Sequence, residues 1–443
     1  EAQMFKTRWQ CLILSVLIAI FVTGCTATPT APPIAPPTAK PEAVLIADRN
    51  LGAALLNALG KPPGEPMSVE ELAGLTELTA NYVNITNLSG IEHCPNLIKL
   101  DLAYNYLTDL SPLAALVNLT TLDLSRNQIG DVVPLASLAN VTTLNLSYNQ
   151  IGDISPLASL VNLTWLDLYF NEVSDISPLG SLAGLTFLYL STNEISEISP
   201  LSALTALKEL ELNGNEISDI EPLSSLSHLE ILRLGSNRIS DVSSLSPLVG
   251  LTVLYLSANR ISDLSPLDGL SGLVELHLST NRIGDISPLS SLTALNILDL
   301  SNNGFSDTSP LASLTNLKIL DLSSNYNIAE ISSLSGLINL EELRLGTNEI
   351  TDITPLAPLT KMNLLHLSAN EIKDVSSLAS LDNLARLSLD RNQISDVAPL
   401  LQNSGLGEGD QLDLKLNNLD LAENSEDMAN IRLLEERGVQ VHY

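Results

Sequence analysis

Residues 97–107 read Leu-Ile-Lys-Leu-Asp-Leu-Ala-Tyr-Asn-Tyr-Leu, and this stretch decides the fold of the chain. The same spacing returns 22 residues later as Leu-Thr-Thr-Leu-Asp-Leu-Ser-Arg-Asn-Gln-Ile, over residues 119–129. The pattern occurs fourteen times in full, at a step of 22 residues except for one step of 23, where Asn327 is inserted. Degenerate copies flank the full repeats at residues 75–85 and 412–419. A fixed period of this length predicts a solenoid, in which each coil contacts only its neighbours.

Each repeat has two halves with different periodicity. The Leu-x-Leu alternation, as at Leu100 and Leu102, predicts a short strand whose leucines point inward and which pairs in parallel with the next coil. The asparagine of each repeat, such as Asn105, lies where the chain turns, and we expect it to bond backbone groups that the bend leaves unpaired. The pattern therefore predicts an α/β solenoid with a parallel β-sheet on its concave face.

The second half of the repeat, Ile-Gly-Asp-Ile-Ser-Pro-Leu at residues 151–157, predicts a single 3-10 turn or short helix on the convex face. Serine before proline indicates an N-cap followed by proline at the first helical position. An acidic residue recurs two positions before the serine, as at Asp153. A column of carboxylates could bind divalent cations, but such sites need oxygens that converge from several directions. We expect these carboxylates to cap turns, and we expect no metal site.

Residues 1–24 are interpreted as a lipoprotein signal peptide. Lys6 and Arg8 precede the apolar stretch 11–22, which is shorter than the about 20 residues that a membrane-spanning helix needs. The sequence Val-Thr-Gly-Cys that ends at Cys25 resembles a bacterial lipobox, and this resemblance implies that Cys25 receives the lipid. An ordinary signal peptide is the alternative. Residues 25–42 are rich in proline, alanine and threonine and are predicted to form an extended tether.

The two ends of the repeat array are predicted to carry caps, because a solenoid end would otherwise expose apolar side chains. Residues 43–74 are expected to form a helical N-terminal cap, with Asp48 capping a first helix and Ser68 and Glu71 forming a capping box at a second. The solenoid itself is expected to span residues 75–419. Residues 420–443 are expected to form a C-terminal cap of a helix followed by a strand.

The repeats resemble the 22-residue class of bacterial internalin-type leucine-rich repeats. The resemblance rests on the pattern Ile-x-Asp-Ile-Ser-Pro-Leu-x-x-Leu-x-x-Leu, as at residues 151–163, and covers about residues 45–443. It implies a leucine-rich repeat arc that binds proteins through its concave sheet. No evident immunoglobulin-like domain follows the repeats, so the resemblance does not imply host-cell adhesion.

Charge and motif content exclude several functions. The formal net charge of −30 predicts that the protein repels nucleic acid and anionic membrane surfaces. The sequence has no glycine-rich phosphate loop after a strand and no nucleophile elbow, and its five histidines are scattered. We therefore expect a monomer with no catalytic residues and no cofactor.

The positions that the repeat leaves free carry the information about function. Outward positions beside the inward leucines concentrate aromatic and acidic side chains within a few adjacent coils, and exposed aromatics are enriched at binding hot spots. The predicted ligand-binding patch consists of Tyr148, Trp165, Asp167, Tyr169, Phe170, Phe187, Tyr189, Glu209 and Glu211. Later outward positions hold Arg233, Tyr255, His277, Arg344 and Arg386. The alternative is that the rings only shield one another along the sheet.

Together these features predict a non-catalytic, extracytoplasmic lipoprotein, anchored to the membrane through Cys25, that binds a protein partner on its concave face. One alternative is a glycan-binding surface protein, since aromatic faces also stack on sugar rings. Another is a structural surface spacer without a specific ligand.

Overall fold

The computed structural model describes residues 43–443. Three α-helices lie at its two ends: α1 is Arg49–Ala58, α2 is Val69–Ala73 and α3 is Glu426–Glu436. Between and after them, the described residues form seventeen strands, β1 to β17, at Glu77–Thr79, Lys99–Asp101, Thr121–Asp123, Thr143–Asn145, Trp165–Asp167, Phe187–Tyr189, Glu209–Glu211, Ile231–Arg233, Val253–Tyr255, Glu275–His277, Ile297–Asp299, Ile319–Asp321, Glu342–Arg344, Leu364–His366, Arg386–Ser388, Gln411–Asp413 and Gln440–His442. Short 3-10 helices separate the first sixteen strands, at Ile91–His93, Ser111–Ala115, Val133–Ser137, Ser155–Ser159, Ser177–Ser181, Ser199–Ala203, Glu221–Ser225, Ser243–Leu245, Ser265–Leu267, Ser287–Ser291, Ser309–Ser313, Ser332–Gly336, Thr354–Leu356, Ser376–Ser380 and Ala398–Gln402.

Every strand pairs in parallel with the strand of the coil before it, so the strands form one sheet in chain order. Leu100 aligns with Leu122, and this shift of 22 residues is kept throughout except where Leu320 aligns with Leu343. The central leucine of each strand is buried in the core, and the 3-10 helices line the opposite side of the coil. The predicted α/β solenoid of the leucine-rich repeat type is confirmed.

The repeat asparagines form a hydrogen-bonded ladder inside the coils, as predicted. The Asn149 amide donates to the carbonyl of Leu146 at 2.9 Å and to that of Leu124, in the preceding coil, at 3.1 Å. Its Oδ1 accepts the backbone N–H of Ile129 at 3.0 Å. The same three bonds recur in other coils, for example at Asn127 and Asn237. Each asparagine thereby satisfies buried backbone groups of two coils.

The insertion of Asn327 interrupts this ladder. In the coil that carries it, the Oδ1 of Asn325 accepts from the backbone N–H of Asn303 at 3.1 Å, instead of from the residue 20 positions before it. In the following coil, Asn348 keeps its bonds to the carbonyls of Leu322 and Leu345. Its Oδ1 is buried and has no hydrogen-bond partner among the described residues. One extra residue thus moves an N–H away from the acceptor that the repeat provides.

The acidic column caps the 3-10 helices. Asp153 Oδ1 accepts the backbone N–H of Ser155 at 2.8 Å, and the same bond recurs in other coils, as between Asp241 and Ser243. The prediction that serine is the N-cap is wrong, because the helix begins at Ser155 itself and the preceding Ile154 makes no side-chain cap. The physical reason is local: the unpaired N–H belongs to the serine, and an aspartate two residues earlier reaches it in an Asx turn.

At the N-terminal end, one carboxylate joins the first helix to the first coil. Asp48 accepts from the backbone N–H groups of Asn50 and Leu51 at the start of α1, and from that of Thr86 at 2.8 Å. Burial alone would raise the pKa of Asp48, but four backbone N–H donors hold it below its usual value. Ser68 and Glu71 form the expected capping box at α2, in which each side chain accepts the other residue's N–H.

At the C-terminal end, α3 is capped by the side chain of Ser425, which accepts the N–H of Met428 at 3.1 Å. After α3, β17 adds in parallel to β16 and completes the sheet among the described residues. The predicted signal peptide, the lipidation site Cys25 and the predicted tether lie outside the described residues. Within residues 43–443, no helix is long and apolar enough to cross a membrane.

Candidate functional site

Three adjacent strands place six of the predicted site residues in two straight rows on the outward face of the sheet. Because β5, β6 and β7 pair in register, Trp165 aligns with Phe187 and then with Glu209. In the second row, Asp167 aligns with Tyr189 and then with Glu211. All six side chains are partly buried, while the leucine between each pair faces the core. These six residues are called the strand patch below.

The other three predicted residues do not lie on strands, which corrects their assignment to outward strand positions. β4 ends at Asn145 and β5 at Asp167, so Tyr148, Tyr169 and Phe170 belong to the turns that follow. Tyr148 and Phe170 have left-handed backbones, with φ values of 55° and 56°. Leucine periodicity marks which side chains face inward but does not show where strand pairing stops, and the expectation failed for that reason.

Tyr148 and Phe170 belong to a longer row that the sequence analysis did not assemble. Five residues occupy the same repeat position, 22 residues apart and just after the strand, and are called the turn-edge ladder: Tyr82, Tyr104, Arg126, Tyr148 and Phe170. Tyr82 and Tyr104 stack with ring centroids 3.8 Å apart, and the Arg126 guanidinium lies 3.6 Å from the Tyr148 ring centroid. Tyr148 in turn stacks on Phe170 at 5.2 Å. The signal that could have found this row is the position immediately before or near each ladder asparagine, read down the repeats.

The strand patch has its own aromatic contacts. Trp165 and Tyr189 lie diagonally on adjacent strands, with ring centroids 5.5 Å apart and planes inclined by 56°. Burial raises the pKa of the Tyr189 phenol, and the nearby charges of Glu209 and Glu211 raise it further. The phenol is therefore neutral and available as a hydrogen-bond donor.

The carboxylates of the strand patch are held in unfavourable surroundings. Burial raises the pKa of Asp167 to about 6, although its carboxylate accepts the Tyr169 N–H at 2.8 Å. Burial also raises the pKa of Glu211, and this rise is opposed by Arg233. The Arg233 guanidinium contacts both Glu211 and, at 2.9 Å, Glu209. The acidic edge of the patch is thus closed by one arginine that serves two carboxylates.

Beyond Arg233 the polar row continues along the sheet. The Arg233 guanidinium lies 5.2 Å from the Tyr255 ring centroid, and Tyr255 stacks on His277 at 4.1 Å. The imidazole of His277 is 2.8 Å from Glu275 and 3.9 Å from Asp299. Burial alone would lower the pKa of His277, but these two carboxylates raise it. This network is internally paired, and it separates the strand patch from the C-terminal part of the sheet.

The described residues offer little for metal or covalent chemistry. Within residues 43–443, no group of three or more histidine, cysteine or acidic side chains is placed to hold a metal ion. Cys94 is buried, and burial together with the charge of Glu92 raises the pKa of its thiol to about 11. A thiol of that pKa is protonated at neutral pH and is a poor nucleophile.

The repeat geometry and the comparisons with known proteins lead to one family. The model of the family described as "Leucine Rich repeats (2 copies)" matches residues 74–115, 117–159, 161–203, 205–247, 249–291, 293–336 and 315–358. These matches cover more than half of the chain, which therefore belongs to the leucine-rich repeat family. Proteins of this class use the extended surface of the solenoid as an interaction module. A comparison with curated protein sequences found no match.

Solved structures place the chain more narrowly. An internalin (inlF) of Listeria monocytogenes is 34% identical, with a TM-score of 0.67, over 79% of this chain and 96% of that one. A leucine-rich repeat protein of Leptospira interrogans is 26% identical, with a TM-score of 0.78, over 92% of this chain and 100% of that one. The functional domain of InlJ of Listeria monocytogenes shares the fold at 24% identity, with a TM-score of 0.61, over 83% of this chain and 80% of that one. The chain is accordingly an internalin-like leucine-rich repeat protein.

Proposed function

We propose that this chain is a non-catalytic binding protein that captures a protein partner on the outward face of its sheet, at the strand patch. The observation that carries the proposal is the alignment of Trp165 with Phe187 and of Asp167 with Tyr189 on adjacent strands. Large aromatic side chains occupy outward positions there, although the core is already filled by the leucines between them. A partner would remove the remaining water from rings that the solenoid leaves partly exposed.

The physical setting favours tight contact at this place. Paired strands hold the six side chains in fixed rows, so that little conformational entropy is lost on binding. Tyrosine and tryptophan combine a large apolar surface with a polar atom, which is why they dominate interface hot spots. The neighbouring carboxylates of Asp167, Glu209 and Glu211 select against an acidic partner surface. We infer that the surface docking here is apolar with neutral or basic groups around it.

The ring geometry supports a protein rather than a glycan. Sugars stack on open aromatic faces, whereas the rings of the turn-edge ladder cover one another's faces, as between Tyr82 and Tyr104. In the same ladder, Arg126 covers a face of Tyr148. The glycan alternative therefore depends on Trp165, Phe187 and Tyr189 alone.

We further propose that the protein is held outside the cytoplasm by a lipid on Cys25, with residues 25–42 as a tether. This part of the proposal rests on the lipobox-like sequence before Cys25. Metabolic labelling with palmitate tests it. Label is expected in the parent chain and not in Cys25→Ala, and an unlabelled parent would refute it.

The binding proposal is tested with the variant Trp165→Ala, Phe187→Ala and Tyr189→Ala in the full chain. Quantitative capture from native extracts should be lost, while circular dichroism and the melting temperature show that the solenoid is intact. A matched control replaces Ile231, Val253 and Ile297 by alanine, since these are also partly buried outward strand residues but lie outside the patch. Equal capture by the two variants would refute the assignment. Loss of binding to a glycan array in the first variant alone would instead support the glycan alternative.

A further inference from the structure

The charge on the outward face changes along the sheet. From β2 to β12, the last residue of the strand is repeatedly acidic, and the arginine among these residues, Arg233, is enclosed by two carboxylates. The acidic members of this row are Asp101, Asp123, Asp167, Glu211, Asp299 and Asp321. From β13 onward, the outward positions instead hold Arg344, His366 and Arg386. A protein with a net charge of −30 thus carries a local basic region on its sheet.

This region surrounds a hollow of about 380 Å³ on the sheet face. Arg344, His366 and Arg386 lie around it, Leu364 contributes an apolar wall, and Asp413 stands on the far side. The name basic hollow is used for this cavity. Its volume is sufficient for one or two side chains of a bound polypeptide.

The two arginines differ from Arg233 in how far their charges are already used. Arg344 has one ion pair, to Glu342 at 2.9 Å. Arg386 is exposed and makes no ion pair or side-chain hydrogen bond with any residue in 43–443. A guanidinium presents five N–H donors in a planar fork that matches a carboxylate. The basic hollow therefore contains donor capacity that the chain itself does not satisfy.

We propose that the basic hollow binds a carboxylate of the partner polypeptide, with Arg386 as the main donor and Arg344 as the second. The inference rests on the proposed function and extends it by giving the partner a second, acidic contact. Asp413 in the wall disfavours a dianion such as phosphate more than it disfavours a single carboxylate, because like-charge repulsion grows with the charge of the ligand. Leu364 matches the aliphatic stem of a glutamate side chain.

The position of the basic hollow also constrains the partner. Eight strand spacings separate β6 from β14, which corresponds to roughly 38 Å along the sheet. An extended peptide would need about 12 residues to bridge that distance. The partner is therefore either a segment of at least that length or a folded domain with an apolar or basic surface at one end and an acidic surface at the other.

The test uses the full chain and defined probes in low-salt buffer. An acetylated triglutamate peptide, the corresponding triglutamine peptide and inorganic phosphate are titrated by isothermal calorimetry or by NMR. Triglutamate is expected to bind, triglutamine is not, and phosphate should bind more weakly than triglutamate. The double variant Arg344→Gln and Arg386→Gln should weaken triglutamate binding at least tenfold. The control Arg282→Gln, at an exposed arginine of a distant coil, should leave it unchanged.

Several outcomes would overturn this inference. They are the absence of triglutamate binding, an equal loss in Arg282→Gln, and binding of phosphate more tightly than the peptide. The strand-patch variant separates the two proposals, because it removes no group of the basic hollow and should bind triglutamate like the parent. If that variant loses partner capture while the parent does not bind triglutamate, the proposed function stands and the basic hollow is rejected.

Discussion

Asn149 Oδ1 accepts the backbone N–H of Ile129 at 3.0 Å, across the boundary between two coils. This bond differs from the two that the same side chain donates. Each inward leucine carbonyl receives two asparagine amides, one from its own coil and one from the next, as at Leu124 with Asn127 and Asn149. The carbonyls are therefore doubly supported, whereas the N–H depends on a single acceptor.

Asn149→Ala is expected to destabilise the solenoid, chiefly because the buried N–H of Ile129 is left unpaired. An unsatisfied buried donor costs about 1–3 kcal/mol. Urea or thermal denaturation measures the change. Asn140→Ala serves as the control, because the Asn140 side chain also bonds a carbonyl of the preceding coil but is exposed, so that water can replace it. A cost equal to that of the control would contradict the proposed role of the ladder.

Asn348→Ala should cost less than Asn149→Ala, although both replace a buried ladder asparagine. The Oδ1 of Asn348 has no partner in the structure, so its removal leaves no N–H unpaired. The carbonyls of Leu322 and Leu345 keep their second donors, Asn325 and Asn370. The expected difference between the two variants is about 1–3 kcal/mol in free energy of unfolding. Equal losses would show that the insertion of Asn327 does not uncouple the ladder.

The acidic column on the 3-10 side should make the fold sensitive to acid. Backbone N–H donors, helped by serine or threonine hydroxyls, hold the pKa values of six members below the usual 3.8: Asp153, Asp175, Asp241, Asp263, Asp307 and Asp352. A lowered pKa contributes stability that is present above the unfolded value and is lost as the pH falls through the folded value. The denaturation midpoint should therefore drop between about pH 4 and about pH 2. Replacing Asp153, Asp241 and Asp307 by asparagine, which keeps an acceptor but not a titrating group, should flatten that drop.

Asp167 should act in the opposite direction and at higher pH. Its pKa is raised to about 6 from 3.8, so the stability that the protonated form contributes is lost as the pH rises from about 4 through about 6. The shift of about two units corresponds to at most about 3 kcal/mol. Asp167→Asn is expected to raise the melting temperature near pH 8 but not near pH 4. Asn145, at the same position of β4, shows that asparagine fits, since its Oδ1 accepts the Ser147 N–H at 3.0 Å.

Thermal denaturation across this pH range checks the prediction. Asp321→Asn, at the same repeat position far from the strand patch, measures the effect of removing one negative charge without the surroundings of Asp167. If both variants change the melting temperature equally at every pH, the effect belongs to the net charge of the protein and not to the burial of Asp167.

The repeat itself was readable from the sequence because its causes are local. Leucines at a period of 22 residues can be buried together only if each period closes one coil, and Asn149 needs neighbours that the same period supplies. The helix caps at Asp48 and Ser68 were readable for a similar reason, since a capping side chain bonds an N–H within three residues of itself. The aspartate–serine turn was read with the wrong partner, because two neighbouring polar residues compete for the same N–H.

The sequence by itself thus determined the coil, the core and the outward direction of Trp165 and Phe187. Only the tertiary structure decided that Tyr148 and Phe170 leave the sheet for the turn-edge ladder, that Arg233 is consumed by two glutamates, and that Arg386 is not. Such contacts join residues 22 or more positions apart whose side chains the repeat does not specify. Their outcome depends on where each strand ends and on which charges lie within reach, and this is established only when the coils are stacked.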